Sequence, residues 1–196
     1  MKKPLYTFEN DKISIEDPEL NLSFHETFSP LRIPEERKRG ITHGKAHLEV
    51  YTHEGTPYAF GWLKNQKLDG EYLHVYPSQK TKGRQYYKDG LLHGPSNFYS
   101  PKGKLLSESW FINGQQEGRT NWYYANSRLH SHQFYHKGQW HGIQLFYYID
   151  GTLKSELAYK EGKLHGTTRL FFPDGKLDRL LIYDAGKVTH LEYGKK

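Results

Sequence analysis

Glycine recurs through most of this chain at a constant interval, and that interval constrains the fold more than any other feature. Three columns of glycines share the same 24-residue spacing: Gly90, Gly114, Gly138, Gly162 and Gly186; Gly70, Gly94, Gly118, Gly142 and Gly166; and, with one gap, Gly103, Gly151 and Gly175. A constant period of this length is typical of proteins built from stacked structural units. Because no glycine precedes Gly40, residues 1–39 are predicted to form a separate part, and residues 40–196 about six and a half repeats.

Each 24-residue unit is predicted to contain two strands. One run follows the second glycine, as in RTNWYY or IQLFYY, and another follows a turn such as PKG or PDG. Glycine in these turns adopts a positive φ without strain, so all three columns are interpreted as turn glycines. The unit leaves no room for a helical crossover, so the strands must be antiparallel. About 13 of them would form a ribbon roughly 60 Å long.

Composition agrees with a sheet that is only one layer thick. Hydrophobic residues make up 35% of the 196 residues, whereas aromatic residues reach 15%. A disordered chain would be poor in aromatics, and a thick core would need more aliphatic residues. The sequence therefore predicts an all-β fold, an elongated single-layer antiparallel β-meander of repeated β-hairpins.

The repeated pattern resembles the MORN repeat, in the bacterial variant found in antitoxin-like proteins. It reads Y-x-x-G-x-x-H-G-x-x-x-x-[FY]-[FY]-x-x-G-x-L, as in residues 159–177, and the resemblance covers residues 40–196. Departures occur at Gln66, Ser127 and His190, which replace column glycines. The resemblance implies an elongated hairpin array that binds other proteins or dimerises, with phospholipid binding proposed for some members and no catalysis in the repeat itself.

Aromatic residues between the glycines are the candidate partner-binding residues. They occupy two neighbouring columns, and adjacent strand residues point to opposite faces, so both faces should carry aromatics. Stacking of these rings as the core is the structural interpretation, and exposure of one aromatic strip is the functional one. The candidates are Phe98, Tyr99, Trp122, Tyr123, Phe146, Tyr147 and Phe171.

Histidines invite a metal hypothesis that their spacing does not favour. His43, His93, His141 and His165 share one slot of successive repeats, which lie roughly 10 Å apart, too far for common ligation of one ion. Asp69 and Glu117 occupy the same slot, so a polar, turn-stabilising role is predicted. His130 and His132, two residues apart, should project from one strand face with His136 nearby, but no carboxylate stands close in sequence. No metal site is predicted.

Several function classes are excluded by what the sequence lacks. There is no cysteine, and no nucleophile elbow, phosphate loop or zinc-binding helix motif occurs, so neither an enzyme nor a cofactor is predicted. The start carries no apolar signal-peptide segment and no run could span a bilayer, which predicts a cytoplasmic protein, with export by a signal-less route left open.

Residues 1–39 are predicted to cap the first repeat. Alternating apolar residues at 12–16 and 20–28 favour two short strands, and Pro34 with the charged run 35–39 favours a turn or short helical linker. Such a cap would cover an exposed sheet edge, and a docking or targeting tail is the alternative.

The leading functional hypothesis is a non-enzymatic scaffold whose aromatic, mildly basic ribbon binds another protein or itself. Residues 40–196 carry a net charge of +7, which supports anionic lipid or nucleic acid as the alternative partner. A third hypothesis, an antitoxin or immunity protein, rests on the resemblance alone. No small-molecule substrate is predicted.

Overall fold

The computed structural model describes residues 5–9, 12–17, 22–27, 46–52 and 55–194, and within these ranges every regular element is a β-strand. A three-stranded antiparallel sheet has the order β1-β2-β3, and a 15-stranded sheet follows chain order from β4 to β18. The large sheet is an open antiparallel meander, which confirms the predicted fold class. No described helix is long and apolar enough to cross a membrane.

The strands of the large sheet are mostly six to nine residues long. Two short segments, β10 and β13, pair with β9 and β12 and continue directly into β11 and β14, so 13 strands form the main path. The bounds are β1 Leu5–Glu9, β2 Lys12–Asp17, β3 Leu22–Thr27, β4 Ala46–Tyr51, β5 Pro57–Lys64, β6 Lys67–Val75, β7 Thr81–Lys88, β8 Leu91–Tyr99, β9 Leu105–Ile112, β10 Gln115–Gln116, β11 Gly118–Tyr123, β12 Leu129–His136, β13 Gln139–Trp140, β14 Gly142–Tyr147, β15 Leu153–Lys160, β16 Lys163–Phe171, β17 Leu177–Asp184 and β18 Lys187–Tyr193.

Two-residue turns at the first glycine column join successive hairpins. Both central residues have positive φ, for example 50° at Asp89 and 86° at Gly90. This is the type I′ geometry, which matches the twist of the flanking strands and favours glycine at its second position. Gln66 occupies that position in the earlier repeat and still adopts a φ of 63°. The register of the repeat therefore imposes the turn even where glycine is missing.

The second glycine column lies where the prediction did not place it. Gly70, Gly94 and Gly166 are inside strands β6, β8 and β16, and Gly118 and Gly142 begin β11 and β14. The pairing register shifts beside these residues, as between Gln85 and Tyr87 opposite β8. They are therefore bulge glycines and not turn glycines. A bulge, like a turn, requires a positive φ, which is 114° at Gly94.

Hydrogen bonds between matching positions of successive repeats hold the ribbon together. The N–H of each first-column glycine donates to the carbonyl oxygen of the residue 22 positions earlier, as Gly114 does to Leu92 at 2.7 Å. On the opposite side of the ribbon, the hydroxyl of Tyr124 donates to the carbonyl oxygen of Tyr147 at 2.7 Å, and that of Tyr148 donates to Phe171 at 2.9 Å. Repeats with tyrosine at this position are thus bonded to the next at both ends of their strands, whereas Ser100 and Phe172 replace the tyrosine in two repeats.

The N-terminal strands lie close to the positions that alternation indicates. β2 and β3 occupy Lys12–Asp17 and Leu22–Thr27, and β1 is a further strand that the sequence pattern did not indicate. The predicted linker at 35–39, together with Gly40 and His43, falls outside the described residues. The capping role stays a prediction.

We predict that Gln66→Gly stabilises the protein by about 0.5–1 kcal/mol, since relief of the left-handed strain exceeds the added chain entropy of glycine. Thermal unfolding followed by circular dichroism measures the change. The matched control is Gly138→Gln, because a Cβ at Gly138 would meet nothing within 4 Å and only its φ of 73° opposes the substitution. An unchanged or lower midpoint for Gln66→Gly, with a lower one for Gly138→Gln, would contradict the turn argument.

Candidate binding surface

Strand alternation divides the residues of the ribbon between two unlike faces. On the first, Gly83 lies opposite Phe98 and Gln85 opposite Ser96, and nearly all of these side chains are covered. We call this the buried face. Asn97, which follows Ser96 in the sequence, points to the opposite face, which we call the open face. Since the sheet has no second layer, the buried face must be covered by its own large side chains.

Small polar residues, hydrogen-bonded to one another, form the centre of the buried face. Ser96, Thr120, Gln144 and Thr168 occupy the same position of four successive repeats and are all buried. Gln85 donates to the Ser96 hydroxyl at 3.2 Å, and Gln116 donates to Thr120 at 2.6 Å. The Gln144 amide accepts from the N–H of Phe134 and donates to its carbonyl oxygen. These bonds offset the cost of burying the polar groups of Ser96, Thr120 and Gln144, so these residues can lie beneath the rings that flank them. The Thr168 hydroxyl is buried without a hydrogen-bond partner among the described residues.

His74 lies among the aromatic side chains of the buried face. Its ring makes edge contacts with Tyr58 and Tyr72, with ring centroids 5.7 Å and 4.8 Å away. Burial, aided by the positive charge of Lys82 and partly offset by a hydrogen bond with Gln85, lowers the pKa of His74 from 6.5 to about 4. His74 is therefore neutral at physiological pH and serves as a core ring in the column that Phe98 and Phe146 occupy in later repeats.

The seven predicted binding aromatics divide between the two faces, as the alternation argument requires. Three belong to the buried face, where Phe146 is only 8% exposed. Four belong to the open face, where they are half-buried, and the Tyr123 hydroxyl donates to Glu108 at 2.8 Å. The first group is Phe98, Trp122 and Phe146, and the second is Tyr99, Tyr123, Tyr147 and Phe171. Their binding role stays a prediction.

A row of exposed side chains crosses the strands of the open face, and we call it the exposed stripe. Cross-strand pairs define it: Pro95 with Trp110, Arg119 with Phe134, Ile143 with Ala158, and Thr167 with Ile182. Trp110 is 49% exposed, Phe134 40%, Ile143 42% and Ile182 38%. Isolated exposed apolar residues are ordinary, but a continuous row on one face is typical of an interaction surface.

Sequence reasoning expected one exposed aromatic strip but did not find these residues. The available signal was a third aromatic column, formed by Trp62, Tyr86, Trp110 and Phe134 at one position of four successive repeats. It lies four positions before the first-column position, which Gln66 occupies in the earliest of these repeats. The later repeats carry Ala158 and Ile182 at that position, so the stripe changes from aromatic to aliphatic along the ribbon.

A polar row runs beside the exposed stripe. Glu108 accepts hydrogen bonds from the Asn121 amide and the Tyr123 hydroxyl, and Asn121 bonds in turn to the His132 ring at 2.6 Å. Desolvation, with the positive charge of Arg119, lowers the pKa of His132. Further along, Arg169 donates to Glu156. These contacts fix the orientation of the polar groups beside the stripe.

A concavity of about 370 Å³ opens between the two rows, lined by Pro95, Asn97, Glu108, Ser109, Arg119 and Asn121. Within residues 55–194, the Arg119 guanidinium and the Asn97 amide make no hydrogen bond or ion pair. Arg119 lies on β11, between the strands that carry Trp110 and Phe134, whereas Asn97 lies on β8, on the other side of β9.

The histidine slot supports the turns, which confirms its predicted polar role. In the repeat of Glu117 the carboxylate accepts from the Lys137 N–H at 2.9 Å, and this bond, with His136, lowers the Glu117 pKa. His93 accepts from Asn113 in the same way. The slot residue of one repeat therefore stabilises the turn of the next.

His130 and His132 do not share a strand face as the sequence predicted. A register shift between Trp122 and Tyr123 disturbs the alternation at this point of β12. The His130 ring contacts Tyr124 and Phe146, whereas His132 contacts Phe134 on the open face. Over the part of the chain that the structure describes, no three His, Asp or Glu side chains are placed to hold a metal ion.

One family model matches part of the chain. The family model of the MORN repeat variant matches residues 140–161 and 164–185, which correspond to two successive units of the ribbon. No curated protein matches the chain. The matched units have the same glycine columns, turn geometry and strand pairing as the repeats before them.

The depressed pKa of His74 predicts a specific acid sensitivity. In the unfolded chain His74 is protonated near pH 6.5, whereas in the folded chain it is protonated only near pH 4. The free energy of unfolding is therefore unaffected by His74 above pH 6.5 and falls by about 3 kcal/mol as the pH drops to 4. His74→Phe, which copies the residue of later repeats, should remove that part of the loss, as measured by urea unfolding at several pH values.

The matched control for this test is His190→Gln, because His190 lies exposed on the last strand. It should leave the pH dependence as it is in the unmodified protein. If His74→Phe and the unmodified protein lose stability in parallel between pH 6.5 and 4, His74 is not buried in its neutral form.

Proposed function

We propose that this chain, two units of which match the MORN repeat variant, is a non-catalytic interaction module that binds a protein partner through the open face. MORN repeats are commonly protein- or membrane-interaction modules and are generally non-catalytic. The observation that carries the proposal is the exposed stripe, because the buried face is occupied by the ribbon's own core. The half-buried Tyr99, Tyr123, Tyr147 and Phe171 form the far border of the same surface.

Energetics support a surface of this composition. Binding energy at protein interfaces concentrates in a few aromatic and arginine side chains surrounded by polar groups. Trp110, Phe134 and Arg119 provide such anchors, and the hydrogen-bonded Glu108, Asn121 and His132 provide a rigid polar border. Little side-chain entropy remains to be lost on binding, since the border is already ordered.

The test is site-specific photo-crosslinking in extract of the source organism. A photoreactive phenylalanine analogue at position 110 or 134 should give discrete protein adducts, which mass spectrometry identifies. The control position is 149, because Ile149 is strongly exposed but lies in a turn away from the stripe. Adducts that are absent, or are the same from position 149, would contradict the proposal.

A basic edge of the ribbon favours a second function, binding to anionic lipid or nucleic acid. Lys80, Lys104, Arg128 and Lys176 form one column at the turns on one side. The Lys104 ammonium donates to Ala125 O and Arg128 donates to Asp150 O, so two of these cations also join successive repeats. The remaining positive charge along this edge would attract phosphates.

This second function predicts steep salt dependence. Binding to anionic liposomes or single-stranded DNA should fall by at least tenfold between 50 and 200 mM salt if about four or more phosphates are contacted. Replacing Lys80 and Lys176 with glutamine should weaken it, whereas Trp110→Ala should not. Absence of binding at low salt would remove this candidate. The antitoxin hypothesis is a separate proposal, and a toxin gene beside this one would be its first support.

A further inference from the structure

We propose that the exposed stripe recognises a proline-rich segment in the polyproline II conformation, with proline at every third residue. This inference rests on the proposed function and names the chemistry of the partner. It starts from the column of Trp62, Tyr86, Trp110 and Phe134, which is aromatic in four successive repeats and whose last two rings belong to the exposed stripe.

The spacing of these rings is set by the fold. Tyr86 lies on β7, Trp110 on β9 and Phe134 on β12, with β8 and β11 between them. Two strand spacings make about 9.6 Å, so the column offers rings at this interval along the ribbon. A ligand that contacts all three must present apolar groups with the same period.

Polyproline II has that period. It has three residues per turn and a rise of about 3.1 Å per residue, so every third residue returns to the same side after about 9.3 Å. Over two repeats the difference from the ring spacing stays below about 1 Å. An α-helix returns to the same face every seven residues, or about 10.5 Å, and an extended strand every two residues, or about 6.7 Å. Both periods differ more from the ring spacing than the polyproline II period does.

The hydrogen-bonding groups of the concavity complement the same conformation. A polyproline II backbone has no internal hydrogen bonds, and its carbonyl oxygens need donors. Arg119 lies on β11, between the strands of Trp110 and Phe134, and Asn97 lies on β8, between the strands of Tyr86 and Trp110. Neither the guanidinium nor the amide makes a hydrogen bond or ion pair within residues 55–194. They are placed to donate to the two residues that separate consecutive prolines.

The ligand's rigidity contributes as well. The proline ring holds the backbone φ in a narrow range, so a proline-rich segment loses less conformational entropy on binding than an ordinary extended peptide. Flat aromatic surfaces with interspersed donors are a recurring way to bind such segments. A binding role also accounts for Pro95 and Arg119, which occupy the position of Ile143 and Thr167 in later repeats. Neither residue is needed by the turns or by the buried face.

The experiment compares two fluorescein-labelled peptides of identical length and composition, with proline at every third or at every fourth residue, by fluorescence anisotropy on the full chain. We expect the first to bind at least tenfold more tightly. Trp110→Ala and Phe134→Ala should each weaken it at least tenfold, and Arg119→Gln severalfold. Ile149→Ala, an exposed apolar control outside the stripe, should bind like the unmodified protein.

The outcomes separate this inference from the proposed function. Equal affinity for the two spacings, or binding that Trp110→Ala leaves unchanged, overturns the polyproline assignment. Cello-oligosaccharides, which also stack on aromatic rings, are tested in parallel, and binding of these sugars in place of both peptides overturns it as well. Protein adducts from positions 110 and 134 would still support an interaction surface in those cases. Circular dichroism of each variant confirms that the sheet is intact, and Trp110→Phe, which keeps a ring, should retain most of the binding.

Discussion

The fold depends on hydrogen bonds between equivalent positions of neighbouring repeats. A single-layer sheet has no second layer to pack against, so each repeat is stabilised mainly by the repeats before and after it. The Gly114 N–H to Leu92 bond has a counterpart at each first-column glycine, and the Tyr124 hydroxyl to Tyr147 bond has counterparts at Tyr76 and Tyr148. Once these bonds set the register, each aromatic and polar column follows from it.

The register also decides which face is available to a partner. On the buried face, serine, threonine and glutamine lie under rings such as Phe146, and hydrogen bonds such as that from Gln85 to Ser96 satisfy several of their polar groups. On the open face the corresponding positions carry charged and exposed apolar residues, Trp110 and Phe134 among them. The one-layer ribbon thus covers one face with its own side chains and leaves the other face exposed.

Much of this could be predicted from the sequence because the repeat encodes it. The 24-residue spacing indicates the hairpin unit, the meander and the number of strands, since a glycine with positive φ is needed once per turn. The bulge glycines such as Gly94 could not be told from turn glycines, because both require the same backbone conformation. The separation of His130 from His132 depends on a register shift that no residue pattern reveals.

The candidate surface was harder to predict than the fold. Aromatics beside the glycines were the obvious candidates, yet Phe146 proves to be core, because burial in a one-layer sheet depends on neighbours two strands away. Trp110 and Phe134 belong to a column that is aromatic from Trp62 to Phe134 but carries Ala158 and Ile182 in the later repeats, so the pattern is less regular than the glycine columns. The change along the column, and not its repetition, marks the candidate surface.

Tryptophan quenching tests the central claim, that one face is core and the other free, most directly. Two variants each keep one tryptophan, Trp110 on the open face or Trp122 on the buried face, with phenylalanine at the other tryptophan positions. The account predicts that acrylamide quenches Trp110 several-fold more efficiently than Trp122 in the folded protein, and both equally in denaturant. Equal quenching in the folded protein, or stronger quenching of Trp122, would contradict it.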